Sequence, residues 1–206
     1  MPGQAMAEQP MADDHNPWTT LRVSLKYANP WITVEEHDVL TPKGKPGIYG
    51  VVRPRNLAIG VLPLDARGMT TLVGQYRYPL GSYSWEMPEG GGDKQVAPID
   101  SARRELLEET GLVAASWLEV LRMDLSNSIS DERAICFLAW DLTQHAPEPE
   151  ETEELRLRHV SFAELLAMVM DGAIGDALTV ATVLKTAALA RAGTLPEPVA
   201  RLIGAS

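Results

Sequence analysis

Cysteine and long apolar runs are scarce in this sequence, and their scarcity excludes several classes of protein. The chain has one cysteine among 206 residues, so it forms no internal disulfide, as expected in a reducing cytoplasm. That residue, Cys136, lies in an apolar stretch, which predicts a buried and unreactive thiol. No segment approaches the roughly 18–20 apolar residues of a membrane span, and residues 1–16 lack the apolar core of a secretory signal. We therefore expect a cytoplasmic protein with no membrane partner.

Positive charge is also scarce. The 28 acidic residues outnumber the 18 lysines and arginines, which leaves a formal net charge of −10. A field of this sign repels polyanions, so we expect no nucleic-acid partner. The four histidines are scattered without metal-ligand spacing, which disfavours zinc. A small phosphorylated ligand remains compatible with this charge if metal ions lie between it and the protein.

The order of apolar patterns and turn residues is typical of an α+β protein with one main core and a mixed sheet. We expect a disordered tail over residues 1–17, an N-terminal β extension over 18–54 and the main domain over 55–206. Pro98 and Gly111 bound one helix, and Ser161 with Glu164 forms a capping box at the start of another. The elements predicted for the main domain are a hairpin of strands 57–64 and 69–76, a glycine loop at 90–92, a helix over 98–110, strands 116–125 and 134–142, a helix from Ser161 and a last helix over 176–192.

Three glutamates in the predicted helix carry the most informative pattern. Glu105, Glu108 and Glu109 are spaced i, i+3, i+4, which places three carboxylates on one helical face. Their mutual repulsion costs about 0.2–0.5 kcal/mol per pair, and divalent cations such as Mg²⁺ reverse this effect because they bind carboxylate oxygens. Alone, such a cluster is typical of a solvated acidic surface. Arg104, which can hold a carboxylate, and the preceding glycine run favour a cation site instead.

This segment resembles the signature of the Nudix hydrolases, G-x5-E-x7-R-E-U-x-E-E-x-G-U, where U is a bulky apolar residue. Eight of the nine specified positions agree, and Val96 stands where the signature has its first glutamate. The matching residues are Gly90, Arg104, Glu105, Leu106, Glu108, Glu109, Gly111 and Leu112. The resemblance implies the Nudix fold, which is a mixed β-sheet sandwiched between helices, with an antiparallel N-terminal β extension.

The same resemblance implies a magnesium-dependent enzyme, with manganese as a possible substitute. By that likeness the metal ligands are Glu105, Glu108, Glu109 and the carbonyl of Glu89, and Glu109 also counts among the catalytic residues. Gly90, Arg104 and Gly111 shape the box. The acidic segment 148–154 lies where relatives carry a further glutamate that binds metal or acts as general base, which nominates Glu151 or Glu153.

Segments 75–79 and 85–90 resemble the branch that hydrolyses ADP-ribose and nucleoside-diphosphate sugars. This likeness implies that Arg77 and Glu86 line the substrate pocket, although Arg77 is equally compatible with a surface ion pair. ADP-ribose hydrolases commonly carry a proline about fifteen residues after the box, and its absence from residues 125–132 disfavours a specific ADP-ribose assignment and leaves nucleoside-diphosphate sugars open. The expected products are a nucleoside monophosphate and a sugar phosphate, and the branch implies a homodimer built through residues 18–54. The alternative function is a Nudix module that senses nucleotides without cutting them.

Overall fold

The structure, a computed structural model, describes residues 15–146 and 154–204. The chain divides into two compact units, Met1–Arg53 and Pro54–Ser206. No helix in the described ranges is long and apolar enough to cross a membrane.

The N-terminal unit is a three-stranded sheet in the order β1-β2-β3, with β1 and β2 antiparallel. Asn29 closes the turn between these two strands, because its side-chain oxygen accepts hydrogen bonds from the backbone N–H groups of Trp31 and Ile32 at 2.9 and 2.8 Å. Ion pairs of Arg22 with Asp38 and of Lys26 with Glu36 cross the pair. The alternate side chains of β1 are apolar and exposed. The strands are β1 (Thr19–Ala28), β2 (Ile32–Leu40) and β3 (Pro46–Pro54).

Within residues 54–146 and 154–204, the C-terminal unit forms two sheets and four α-helices. A mixed sheet has the order β7-β4-β9-β8, with β4 and β9 parallel, and a second sheet has the order β10-β5-β6. A 3₁₀ turn, Tyr78–Leu80, links β5 to β6. The elements are β4 (Asn56–Pro63), β5 (Met69–Arg77), β6 (Ser82–Glu86), β7 (Glu89–Asp93), α1 (Pro98–Thr110), β8 (Leu112–Asp124), β9 (Arg133–Gln144), β10 (Arg156–Ser161), α2 (Phe162–Met170), α3 (Ala177–Arg191) and α4 (Glu197–Gly204).

Alternate residues of β9 serve two cores on opposite faces of the mixed sheet, because successive side chains of a strand point to opposite sides. Ile135 and Phe137 pack with α1, whereas Cys136 and Leu138 pack with α2, α3 and α4. The mixed sheet is therefore sandwiched between helices, as predicted. Cys136 is fully buried, which confirms its predicted burial, and this burial raises the pKa of its thiol to about 11.

Local signals set the helix ends correctly. Helix α1 spans Pro98–Thr110 and ends at Gly111, which adopts φ 70°. The Ser161 hydroxyl accepts a hydrogen bond from the backbone N–H of Glu164 at 3.0 Å and caps α2. Asp176 caps α3 in the same way. Helix α4 was not predicted.

Two sequence-based predictions are wrong. The turn at 65–68 forms, with the Gly68 N–H donating to the Asp65 carbonyl at 2.9 Å, but β4 and β5 lie in different sheets and make no hairpin. Strand β4 is buried along its second half and pairs with β7 and β9, so it is a central strand without a free edge for β5. The expected glycine loop at 90–92 is part of strand β7, since its glycines allow the close approach of side chains described below.

Candidate active site

Helix α1 presents its three glutamates toward strand β7. Glu105 and Glu109 are buried, with 7% and 4% of their surface exposed, and Glu108 is partly buried. The Glu109 Oε2 atom accepts a hydrogen bond from the backbone N–H of Glu89 at 3.0 Å. Ionised carboxylates are costly to bury unless positive charge or hydrogen bonds compensate, so this face of α1 is not an ordinary solvated surface.

Arg104 supplies part of the compensating charge. Its Nη1 donates to Glu108 and its Nη2 to Glu105, both at 2.5 Å, and Nη2 also donates to the carbonyl of Gly91 at 2.9 Å. Burial by itself lowers the pKa of Arg104, but the charges of Glu105 and Glu108 raise it above its ordinary value. Arg104 thus holds two carboxylates, one through each terminal nitrogen, where the sequence analysis considered only one.

Gly90 leaves the space that the Glu105 carboxylate occupies. A Cβ atom at position 90 would lie 2.4 Å from the Glu105 carboxylate carbon, well inside the ordinary contact range of 3.4–4 Å. The Glu105 carboxylate can therefore keep this position against β7 only while residue 90 has no side chain. The glycine was identified from the sequence, but the contact that requires it was not.

Arg77, at the end of β5, is bound by two carboxylates. Its Nε lies 3.0 Å from both oxygens of Glu86, and its Nη2 donates to Glu86 and, at 2.7 Å, to Glu89. Burial lowers the pKa of Arg77, but Glu86 and Glu89 offset this and raise it above the ordinary value. The sequence left open whether Arg77 forms an ion pair or lines a pocket. In the structure it forms ion pairs and also lines a cavity of about 350 Å³.

A third carboxylate, Asp176 at the N-terminus of α3, was not predicted as a site residue. Oxygens of Glu86, Glu89 and Asp176 all lie within 4.8 Å of one another. Burial raises the pKa of the Glu89 carboxyl well above its usual value, and the charges of Asp176 and Glu86 raise it further against the opposing effect of Arg77. In the sequence Asp176 was only the first residue of the last predicted helix, and its approach to Glu86 and Glu89 depends on long-range packing.

Comparison with known proteins identifies this arrangement. The NUDIX domain model matches residues 54–181, more than half of the chain. The chain belongs to the Nudix family. The model of the nucleoside diphosphate sugar hydrolase N-terminal domain matches residues 18–52.

Individual relatives agree with this assignment. An ADP-ribose pyrophosphatase of Mycobacterium tuberculosis is 31% identical over 144 residues, covering 68% of this chain and 70% of that protein. An ADP-ribose pyrophosphatase of Bacillus subtilis is also 31% identical over 144 residues, covering 69% and 77%. The crystal structure of an ADP compounds hydrolase shares the fold, with a TM-score of 0.78 at 21% identity, covering 89% of this chain and all of that one. The chain is a Nudix hydrolase.

The Nudix box departs from its signature at Val96, which is 45% exposed. Its backbone N–H donates to the Asp93 carbonyl at 3.0 Å and closes the turn before α1. The next residue, Ala97, occupies the N-cap position of α1 without a side-chain hydrogen bond. The two other glutamates nominated from the sequence, Glu151 and Glu153, lie outside the described residues.

The residues of the box suit a divalent metal of the kind that Nudix hydrolases use. The α1 face holds buried carboxylates against the start of β7, and Mg²⁺ binds oxygen ligands of this kind. Arg104 forms ion pairs with Glu105 and Glu108 on this face. The donor chemistry and the negative charge both fit a cation.

Proposed function

We propose that this Nudix hydrolase cuts the pyrophosphate bond of ADP-ribose or a related nucleoside-diphosphate sugar, with Mg²⁺ as its metal, giving a nucleoside monophosphate and a sugar phosphate. One observation carries the proposal. Glu89 joins the two halves of the site, because its backbone N–H donates to Glu109 and its side chain accepts from Arg77. Glu109 of α1 and Arg77 of the cavity are thereby both bonded to one residue of β7.

The metal would be held by Glu105, Glu108, Glu109 and the carbonyl of Glu89, and it would supply positive charge that neutralises the diphosphate and favours ionisation of the attacking water. Arg104 restrains Glu105 and Glu108. The Nη1 group of Arg77 makes no hydrogen bond within the described part of the chain, so it remains available to a phosphate oxygen. We assign the role of general base to Glu151 or Glu153.

The experiment is the Glu109→Gln variant assayed with ADP-ribose and Mg²⁺. The amide oxygen can still accept from Glu89, so the fold is preserved while the charge is lost. We expect kcat to fall about 100-fold or more with a near-normal unfolding transition. The matched control is Glu119→Gln, which alters an exposed glutamate on β8 paired with Arg122. Near-normal turnover in the Glu109 variant would contradict the proposed metal role.

A substrate panel then tests the activity itself. ADP-ribose, UDP-glucose, GDP-mannose, a dinucleoside polyphosphate and a nucleoside triphosphate are compared by kcat/KM in the wild-type protein. We expect one of the nucleoside-diphosphate sugars to have the highest value. Tight binding of these compounds without any cleavage, in the presence of Mg²⁺ or Mn²⁺, would favour a nucleotide-sensing module instead.

We further propose that the protein acts in the cytoplasm as a homodimer built through its N-terminal unit. Strand β1 leaves an apolar row exposed on one face, and an apolar row of this kind marks an interaction site when it is contiguous. Its members are Leu21, Val23, Leu25 and Tyr27. Sedimentation analysis should give twice the chain mass for the wild type and one chain mass for Leu25→Glu. A monomeric wild type at micromolar concentration would contradict this assembly.

A further inference from the structure

The cavity beside Arg77 differs chemically from the α1 carboxylate face. Besides Arg77 it is lined by Glu86 and Asp176, so its lining charged groups have an excess of one negative charge when ionised. Its volume of about 350 Å³ is in the range of small-ligand sites. A group bound here would lie next to Arg77, which we assign to the diphosphate. The cavity is therefore in a position to bind the chemical group that is attached to the diphosphate.

The strand that forms one wall presents hydroxyl groups. In the register of β5 with β6, Arg77 pairs with Ser82, Gln75 with Ser84 and Val73 with Glu86. Side chains of paired residues point to the same face of a sheet, so Ser82 and Ser84 share the face of Arg77 and Glu86. Neither serine hydroxyl has a hydrogen-bond partner among residues 15–146 and 154–204, and both serines line the cavity.

Asp176 contributes the opposite wall. Its Oδ2 atom accepts a hydrogen bond from the Thr179 N–H at 2.7 Å and caps α3. The Thr179 hydroxyl in turn accepts from the backbone N–H of Met87, next to Glu86, at 3.0 Å. Asp176 is therefore held at a defined place against β6. Its negative charge also occupies the N-terminus of α3, which would otherwise attract an anion.

We infer that this cavity receives the uncharged, hydroxyl-bearing group attached to the substrate's diphosphate, and that Asp176 is the residue that excludes a terminal phosphate from it. Serine hydroxyls and carboxylates are hydrogen-bond partners for sugar hydroxyls. A phosphate at the same place would meet Glu86 and Asp176 at close range, and like charges brought together disfavour the wrong ligand. The inference rests on the proposed function and names the residue that sets its selectivity.

ADP-ribose and ATP form a matched pair of probes, because both carry an ADP unit and differ in whether its β-phosphate bears a ribose or a phosphate. The measured quantity is the ratio of kcat/KM for ADP-ribose to kcat/KM for ATP, at saturating Mg²⁺. The test variant is Asp176→Asn, since asparagine caps a helix as well as aspartate does while removing the charge. Asp176→Ser provides a second uncharged cap.

We expect Asp176→Asn to lower the ratio about tenfold or more, through a gain for ATP together with a loss for ADP-ribose, because one charge beside a terminal phosphate is removed. Thermal unfolding should remain close to that of the wild type. The control is Asp171→Asn, which removes the same charge from an exposed residue at the end of α2 that is outside the cavity lining. The control should leave the ratio unchanged.

The outcomes separate this inference from the proposed function. An unchanged ratio in both Asp176 variants, with ADP-ribose still cleaved, would overturn the inference and leave the function standing. An equal drop in the Asp171 control would overturn it too, because the effect would then be one of general charge. A higher Mg²⁺ requirement with an unchanged ratio would show that Asp176 serves a cation instead. A wild type that cleaves no member of the panel would overturn both.

Discussion

Replacing Gly90 with alanine tests whether the position of the Glu105 carboxylate controls turnover. The added Cβ would lie 2.4 Å from the Glu105 carboxylate carbon and 2.4–2.5 Å from its two oxygens, whereas ordinary contact begins at 3.4 Å. The carboxylate and strand β7 must therefore separate by about 1 Å. A displacement of this size in a catalytic group can lower the rate roughly 100-fold. We expect kcat with ADP-ribose to fall by that order.

Gly90→Ala should lower the unfolding free energy only slightly, even though it removes most of the activity. Overpacking a buried site costs about 1–3 kcal/mol, and the clashing atoms here are the end of a flexible side chain. Glu105 can swing away, but it then leaves Arg104 and the box. We therefore expect Gly90→Ala to lose about 1 kcal/mol of unfolding free energy, measured by denaturant titration, while nearly all of its activity disappears.

The neighbouring glycines supply two controls on the same strand. Alanine at Gly91 would meet the exposed side chain of Asn56 at 2.7 Å, which can move into solvent, whereas alanine at Gly92 would meet Ile59 of the α1 core at 2.7 Å and Ser101 at 3.1 Å. Gly91→Ala should be close to the wild type in both measurements. Gly92→Ala should lose about 1–3 kcal/mol yet retain its kcat when folded. A Gly90→Ala enzyme with normal turnover, or a Gly92→Ala enzyme equally inactive, would refute the reasoning.

Three further predictions concern Cys136, Ser161 and Glu89. The Cys136 thiol, with its pKa near 11, should react with an aromatic disulfide at pH 8 only as fast as the chain unfolds; rapid labelling of native protein would contradict this burial. Ser161→Ala should cost about 1 kcal/mol in denaturant unfolding, because it removes the α2 cap. The pKa of Glu89 is raised in the folded protein, so above pH 4.5 the native state binds more protons than the unfolded state. In the absence of metal, the unfolding free energy should therefore fall as the pH rises from 4.5 through the pKa of Glu89 in the folded state. Glu89→Gln should flatten that slope, and an identical slope in the variant would argue against the shift.

Local chemistry explains why α1 was predicted to its terminal residues. Proline at the first position and glycine after the last are signals that act within one helical turn, and they bound Pro98–Thr110 in the structure. The i, i+3, i+4 spacing of the box glutamates is likewise a property of the helix alone. These features need no information from distant parts of the chain.

The features that sequence reasoning missed depend on long-range packing. Strand β4 pairs in parallel with β9, from Ala58 with Ala134 to Pro63 with Ala139, and nothing in either segment specifies the other. The glycine run has low β propensity, yet it pairs with β4 as strand β7, where Gly90 and Gly92 leave room for Glu105 and for Ile59 and Ser101. Asp176 lies close to Glu86 and Glu89 although α1, β8, β9, β10 and α2 separate it from them along the chain, so the start of a predicted helix gave no sign of its place in the site.

Buried charge explains why the site is built as it is. Glu86, Glu105 and Glu109 are among the buried residues of the C-terminal unit, and replacement of buried ion pairs by apolar groups of similar volume is often neutral or stabilising. Arg77 and Arg104 offset part of the cost, but they do not make these carboxylates favourable for folding. Groups kept at such a cost cluster at functional sites. Glu89 contacts both Glu109 of α1 and Arg77, so a displacement of β7 would disturb a carboxylate proposed for the metal and the arginine proposed for the phosphate. We therefore expect substitutions along β7 not to act additively with those on α1.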